Sequence, residues 1–425
     1  MTVTEKKPEE KTAGEQERET LPGVTIHGLH DAKRLMKAAE YRGKQSIKVI
    51  DRPMPLVTDA EDAILKVSST CICGSDLHLY LGTIPGMKPG QVMGHEFMGT
   101  VVEVGVGVKD VKAGDRVVAC FDIGCGRCFL CKQGAFSCCE ATNPNVQMKE
   151  LYGHQISGMF GYSQITGGYD GGQAEYVRVP FADVNLLKVP PDMPDEKIVF
   201  LSDILPTAWN ACEMGDVSQG DVVAIWGCGP VGILTAQCAM FRGAARVIVI
   251  DEHAYRLVSV KEGLAKMTVH GPDVGIEAVG QHYAHSLTHK IEMKLHLETD
   301  PSEVLNEIIY CTRKAGRISI VGVYAGFTKN FNIGEWPGYG WLMFACAFME
   351  KGQQMRGSQT PVQKFWHHLL ELVQSGKLDP SVVVTHRPPL EEAGHAYKVF
   401  NEKLENCIKV VLKPTHAPLI VRQVI

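Results

Sequence analysis

Alternation of apolar and polar positions marks the first folded stretch, residues 45–68, as short β-hairpins. The run MGTVVEVGVGVKDVKAGDRVVA at 98–119 continues in the same all-β manner, its valines split by glycine-containing turns. Residues 141–175 are rich in Gly, Tyr, Asn and Gln and lack periodicity, and so long a loop in a compact domain is usually functional. Strands at EYVRVP and NLLKVP follow, then a helical segment from about 195 to 214. At Asp221 the pattern changes. VVAIWG and RVIVID are continuous apolar runs suited to strands buried on both faces, with the helical PVGILTAQCAMFRGA between them. PDVGIEAVG, a helix near 302–314 and GRISIVGVY continue the alternation, which predicts a parallel α/β sheet. An amphipathic helix at 361–376 and a last strand, IKVVLKP, return the chain to the β part.

The 425 residues exceed what one core organises, so two domains are expected. The boundaries drawn are a solvated tail at 1–24, a β domain at 25–205, an α/β domain at 206–356 and a C-terminal return at 357–425. An apolar content of 45% and a net charge of -5 describe an ordinary globular protein and argue against nucleic acid as partner. The longest apolar run, Trp341 to Met349, falls well short of the roughly 20 residues of a membrane span. Fourteen cysteines without a secretory signal suggest a reducing compartment, the cytoplasm, and metal binding before disulfides.

Cysteine spacing then becomes informative. Cys125, Cys128, Cys131 and Cys139 lie in one loop, 124–140, at the spacing of a closed tetrahedral zinc site, with Cys138 as a possible exchange partner for Cys139. Upstream, CGSDLH offers Cys73, Ser75 and His78, and GHE offers His95 and Glu96. Sulfur and imidazole are donors that zinc prefers, although a buried thiol and a satisfied histidine are the bland alternative. Asp203, at the seam between the domains, is a third candidate ligand or simply a helix N-cap. Finally, Gly227-Cys228-Gly229-Pro230-Val231-Gly232 follows a predicted strand and opens a predicted helix, and Asp251 ends the next strand. In that context the glycines read as a dinucleotide turn, with Asp251 on the ribose hydroxyls favouring NAD over NADP.

On these residues the chain resembles the zinc-containing medium-chain alcohol dehydrogenases over about 45–413. CFLCKQGAFSCC, GGYDGGQAEYVRVP, NLLKVP and FLSDILPT are most similar to the glutathione-independent formaldehyde dehydrogenase branch and its fungal relatives. The resemblance implies a GroES-like catalytic domain joined to a doubly wound Rossmann domain. It also implies two zinc ions per subunit, one held by Cys73, His95 and Asp203 and one by the four-cysteine lobe. NAD would accept a hydride from a short alcohol or hydrated aldehyde, formaldehyde above all. Ser75 would take the substrate proton and pass it towards His78. Glu96 would be the carboxylate that approaches the metal when substrate leaves, and 141–170 the loop that covers the cofactor. A homodimer or homotetramer is implied, paired through GRISIVGVY-type edge strands.

Two features depart from that pattern. About twenty residues after Asp251 replace a helix, a strand and a second helix, so the sheet would lack one edge strand and the adenine pocket one wall. Residues 335–347, EWPGYGWLMFACA, look inserted. The competing readings are a threonine, polyol or S-(hydroxymethyl)glutathione dehydrogenase, and an inactive zinc-stabilised scaffold.

Overall fold

A computed structural model of the chain describes residues 23–251, 253, 255–256, 271–279, 303–323, 348–416 and 420–421. The expected tail up to residue 22, most of the shortened interval after Asp251 and the whole of 335–347 lie outside these residues.

The β part begins with a hairpin of His30–Gly43 and Ser46–Pro55, in which Ala39 faces Val49. Beside it an antiparallel sheet runs in the order Val410–Leu412, Ala63–Ile72, Phe97–Val104, Arg116–Ala119, Leu186–Lys188, and Tyr176–Val179 also pairs with Ala63–Ile72. Val410–Leu412 therefore joins this sheet although it lies over three hundred residues away in sequence, pairing Val411 with Cys71. That pairing fixes the segment leading to Cys73.

Among the described residues the α/β part is a five-stranded parallel sheet ordered Arg246–Ile250, Val222–Trp226, Val274–Glu277, Arg317–Ile320, Gln354–Gly357. Strand order reverses between Val222–Trp226 and Val274–Glu277, and in such sheets ligands bind beyond the carboxyl ends of the strands at this reversal. Two expectations need correction. The strand in GRISIVGVY is flanked on both sides and is not an edge; among the described residues the outer strand is Gln354–Gly357, a polar segment whose lack of apolar periodicity hid it. The single helix expected over 195–214 is broken. A helical turn at Asp195–Ile198 and a tighter one at Val199–Ser202 stop at Asp203 (φ -155°, ψ -75°), and a new helix, Ile204–Met214, begins. Pro206 accounts for the break, because it has no N–H to offer the Ser202 carbonyl. That carbonyl instead accepts the Phe121 N–H at 3.0 Å.

One apolar core crosses the seam between the two sheets, joining Phe200, Leu201 and Trp366 to Ile225 and Val249. Trp366, on the helix Val362–Gln374, also donates its indole N–H to the Leu201 carbonyl at 2.8 Å. Satisfying that polar group while burying its large ring ties the C-terminal return to the segment that carries Asp203.

Candidate active site

A cavity of about 480 Å³ runs along the seam. At one end are Cys73, Ser75, His95 and Asp203; further along are Gly227, Gly229, Pro230, Val231 and Asp251. Residues read separately from the sequence thus share one cleft.

Cys73, His95 and Asp203 present one ligand atom each within 4.8 Å of one another. Cys73 Sγ is 3.7 Å and His95 Nε2 3.3 Å from Asp203 Oδ2. Asp203 does occupy an N-cap position, yet its side chain makes no capping hydrogen bond and turns into the cleft. The Thr207 hydroxyl, one helical turn on, donates to its other oxygen at 2.8 Å and holds that orientation. Behind the cluster Asp76 serves two neighbours. Its Oδ2 accepts the Cys73 N–H at 2.9 Å, and its Oδ1 lies 3.0 Å from His95 Nδ1. A carboxylate on Nδ1 leaves Nε2 for the ligand side, the arrangement common to metal-binding histidines.

The donors fit a cation electrostatically. Burial pulls the His95 pKa down, but the Asp76 and Asp203 carboxylates and the Cys73 sulfur outweigh it and hold it well above the usual value. Asp203 is displaced oppositely: burial raises its pKa, and hydrogen bonding and charge from His95 bring it below the ordinary carboxylate range. The negative surroundings that favour a cationic His95, and the readily ionised Asp203, would attract a divalent cation for the same reason.

The other site residues fall around this cluster. Ser75 Oγ is 3.2 Å from His95 Nε2, and His78 lines the same cleft. Glu96 turns away, and its Oε2 is paired with Lys409 Nζ, both side chains fully buried. Burial raises the Glu96 pKa and Lys409 opposes the rise; burial lowers the Lys409 pKa, and Glu96 more than restores it. Glu96 Oε1 keeps no hydrogen-bond partner among the described residues. Sequence reasoning missed Lys409, although a lysine inside the apolar run IKVVL was the available signal, since a lysine is almost never buried unpaired.

Cys125, Cys128, Cys131 and Cys139 are all buried, with their sulfurs within 4.8 Å of one another. Cys139, not Cys138, is the fourth member. The Cys128 and Cys139 sulfurs are 4.0 Å apart, about twice a disulfide bond. Backbone N–H groups of Cys125 and Cys128 point at sulfurs, each at 3.3 Å, and such donors favour thiolates over thiols. Four convergent thiolates fit a closed tetrahedral metal site.

At the glycine turn the three glycines are not equivalent. Gly227 has φ +100°, and a Cβ there would come within 2.7 Å of the Ala278 carbonyl oxygen. A Cβ on Gly232 would lie 1.9 Å from the Gly227 carbonyl oxygen, so the helix Pro230–Phe241 could not approach its strand. A Cβ on Gly229 would meet nothing within 4 Å. The protein itself does not need this glycine; the open space at the helix start suits a pyrophosphate. Asp251 accepts the N–H groups of Cys228 and His253, both at 2.8 Å, and Arg256 lies 3.3 Å from its Oδ2. Among the described residues its Oδ1 accepts one hydrogen bond, which leaves a lone pair for a ribose hydroxyl.

Among the described residues of 141–170, Tyr162 lines the cleft, and the segment packs on the backbone beside His95, where a Cβ on Gly161 would be 2.5 Å from the Gly94 nitrogen.

Comparison with known proteins agrees with this architecture. The alcohol dehydrogenase GroES-like domain matches residues 59–191. The uncharacterized zinc-type alcohol dehydrogenase-like protein AdhB of Bacillus subtilis is 40% identical over 398 residues, covering 89% of this chain and 100% of that protein. Glutathione-independent formaldehyde dehydrogenase of Pseudomonas aeruginosa is 33% identical over 85% of this chain and 94% of its own length. Among solved structures, alcohol dehydrogenase TADH from Thermus sp. ATN1 superposes with a TM-score of 0.69 at 32% identity, covering 89% of this chain and 100% of that one. The fold is that of the medium-chain dehydrogenases, a GroES-like domain with a parallel Rossmann-like sheet. This chain belongs to the zinc-type alcohol dehydrogenase family and is an oxidoreductase acting on a small-molecule substrate. Among the described residues no helix is long and apolar enough to cross a membrane.

Proposed function

We propose that this enzyme oxidises a short alcohol or hydrated aldehyde, formaldehyde foremost, with NAD as hydride acceptor. The observation that carries the reading is the convergence of Cys73, His95 and Asp203 in one cleft with the open turn at Gly229. Those three residues would hold a catalytic zinc, and Cys125, Cys128, Cys131 and Cys139 a structural one. When bound, Zn²⁺ supplies a Lewis acid for the substrate oxygen and NAD supplies the hydride acceptor.

The chain's own groups do the rest. Ser75, beside His95 Nε2, accepts the substrate hydroxyl proton and passes it towards His78. Asp76 and Thr207 keep His95 and Asp203 oriented. Glu96, with one oxygen free, is the carboxylate able to swing to the metal, while Lys409 stabilises it at rest. Gly227, Gly229, Pro230, Val231 and Gly232 shape the pyrophosphate turn. Asp251 receives the ribose and disfavours a 2′-phosphate, which supports NAD over NADP. Assembly as a homodimer or homotetramer would use the outer strand Gln354–Gly357.

The deciding experiment measures zinc in the purified protein, then NADH formation from formaldehyde with and without glutathione. About two zinc per chain and glutathione-independent turnover are expected. A strict glutathione requirement would transfer the substrate to S-(hydroxymethyl)glutathione. Two zinc with neither NADH binding nor turnover would leave only a zinc-stabilised scaffold.

A further inference from the structure

Tyr162 comes from the glycine-rich segment that the chemistry above does not use. It is anchored from both sides. Gly161 (φ +60°) presses against the Gly94 backbone, and the Tyr162 carbonyl accepts a hydrogen bond from the Gln91 amide. The ring then stands edge-on to His95, with centroids 5.1 Å apart, and Phe121 meets the same imidazole edge-on at 6.2 Å. Both aromatic rings line the cleft at its metal-ligand end. Ser75 Oγ lies 3.2 Å from Nε2 of the same imidazole and shares that cleft.

These contacts have two consequences. Two rigid rings flanking the ligand cluster narrow the space beside it, which favours one-carbon substrates over longer chains. The second concerns Ser75. Whenever His95 Nε2 faces a metal it cannot also bond Ser75, so the serine hydroxyl needs another partner to stay aimed at the reacting oxygen. Tyr162, which packs on the same imidazole and lines the same cleft, carries a hydroxyl that keeps its proton at neutral pH. Donating to Ser75 Oγ leaves the serine O–H free to donate onward while its oxygen accepts the substrate proton.

We propose that Tyr162 is the positioning and specificity-determining residue of this site: its hydroxyl aims Ser75 and its ring restricts the pocket to one-carbon substrates. The proposal rests on the alcohol or aldehyde oxidation argued above.

The test compares wild type, Tyr162→Phe and Tyr162→Ala, each loaded with zinc and NADH, in two measurements. Calorimetry compares formamide with butyramide, aldehyde analogues of one and four carbons, and needs no turnover. Tyr162→Ala should lower the preference for formamide by about tenfold or more, and Tyr162→Phe should leave it unchanged. Steady-state kinetics with formaldehyde should show kcat reduced up to about tenfold in Tyr162→Phe, with zinc content and melting temperature preserved. An unchanged amide preference in a zinc-replete Tyr162→Ala protein overturns the size restriction, and an unchanged kcat in Tyr162→Phe overturns the aiming of Ser75. Wild-type protein that distinguishes the amides yet oxidises no short alcohol or aldehyde would instead overturn the proposed reaction.

Discussion

The glycine turn permits a prediction in which one substitution removes cofactor binding while its neighbours remove stability. In Gly232→Ala the new methyl would start 1.9 Å from the Gly227 carbonyl oxygen, where ordinary contact is 3.4 Å or more. Only displacement of the helix Pro230–Phe241 relieves that, and overpacking of this severity costs about 3 kcal/mol or more. For the α/β domain that corresponds to a melting temperature lower by about 6–12 °C. Gly227→Ala combines a left-handed φ of +100°, worth about 1–2 kcal/mol for an L-residue, with a 2.7 Å approach to Ala278. Gly229 differs on both counts, having φ -75° and open space where the methyl would stand. Gly229→Ala should therefore change stability by less than about 0.5 kcal/mol, the range of an ordinary surface change. The methyl nevertheless enters the volume assigned to the pyrophosphate, so NADH affinity should fall at least tenfold, about 1.4 kcal/mol. Thermal melting without cofactor and NADH fluorescence titration measure the two quantities on the same samples. If Gly229→Ala binds NADH as wild type does, the space beside Gly229 is not the phosphate site. If it melts as low as Gly232→Ala, the steric reasoning itself is wrong.

Three further substitutions test electrostatics. Lys409→Met strands the buried Glu96 carboxylate, and breaking such a pair costs about 3–5 kcal/mol, whereas Glu96→Gln combined with Lys409→Met should cost less than the two singles added; urea unfolding of the three variants measures this, and strict additivity would mean that the pair is not coupled. Asp273 accepts the Val222 N–H at 2.8 Å and Arg313 Nε at 2.6 Å; although burial opposes it, these partners hold its pKa below the usual 3.8. A depressed folded-state pKa contributes stability that is present above about 3.8 and is lost as pH falls through the lower folded value. Asp273→Asn should therefore destabilise by about 1–2 kcal/mol at neutral pH and flatten the acid limb of the stability curve, and parallel limbs for variant and wild type would exclude the linkage.

Legibility followed the distance over which each feature is encoded. The four cysteines of the lobe lie within one fifteen-residue loop, so their spacing alone pointed to a metal site and left only the choice between Cys138 and Cys139 to the structure. The glycine turn was equally readable, because the strand, turn and helix that give it meaning are contiguous. Cys73 and His95 could be nominated from residue type, but nothing local aims Asp203 at them; a helix break caused by Pro206 and a hydroxyl from Thr207 do that. The outer strand Gln354–Gly357 escaped notice because a strand exposed at a sheet edge needs no apolar alternation.

By itself, then, the sequence determined which residues could bind metal and dinucleotide, and in what kind of local turn, because bond geometry and donor chemistry act over a few residues. Only the tertiary structure decided which of those residues meet. Glu96 and Lys409 are 313 positions apart, and Tyr162 reaches His95 only because a glycine lets its loop lie against Gly94. The physical reason is that long-range pairing is set by the burial of whole surfaces. A charge or a ring takes its partner from whatever the packed sheets place beside it, and no periodicity along the chain encodes that choice.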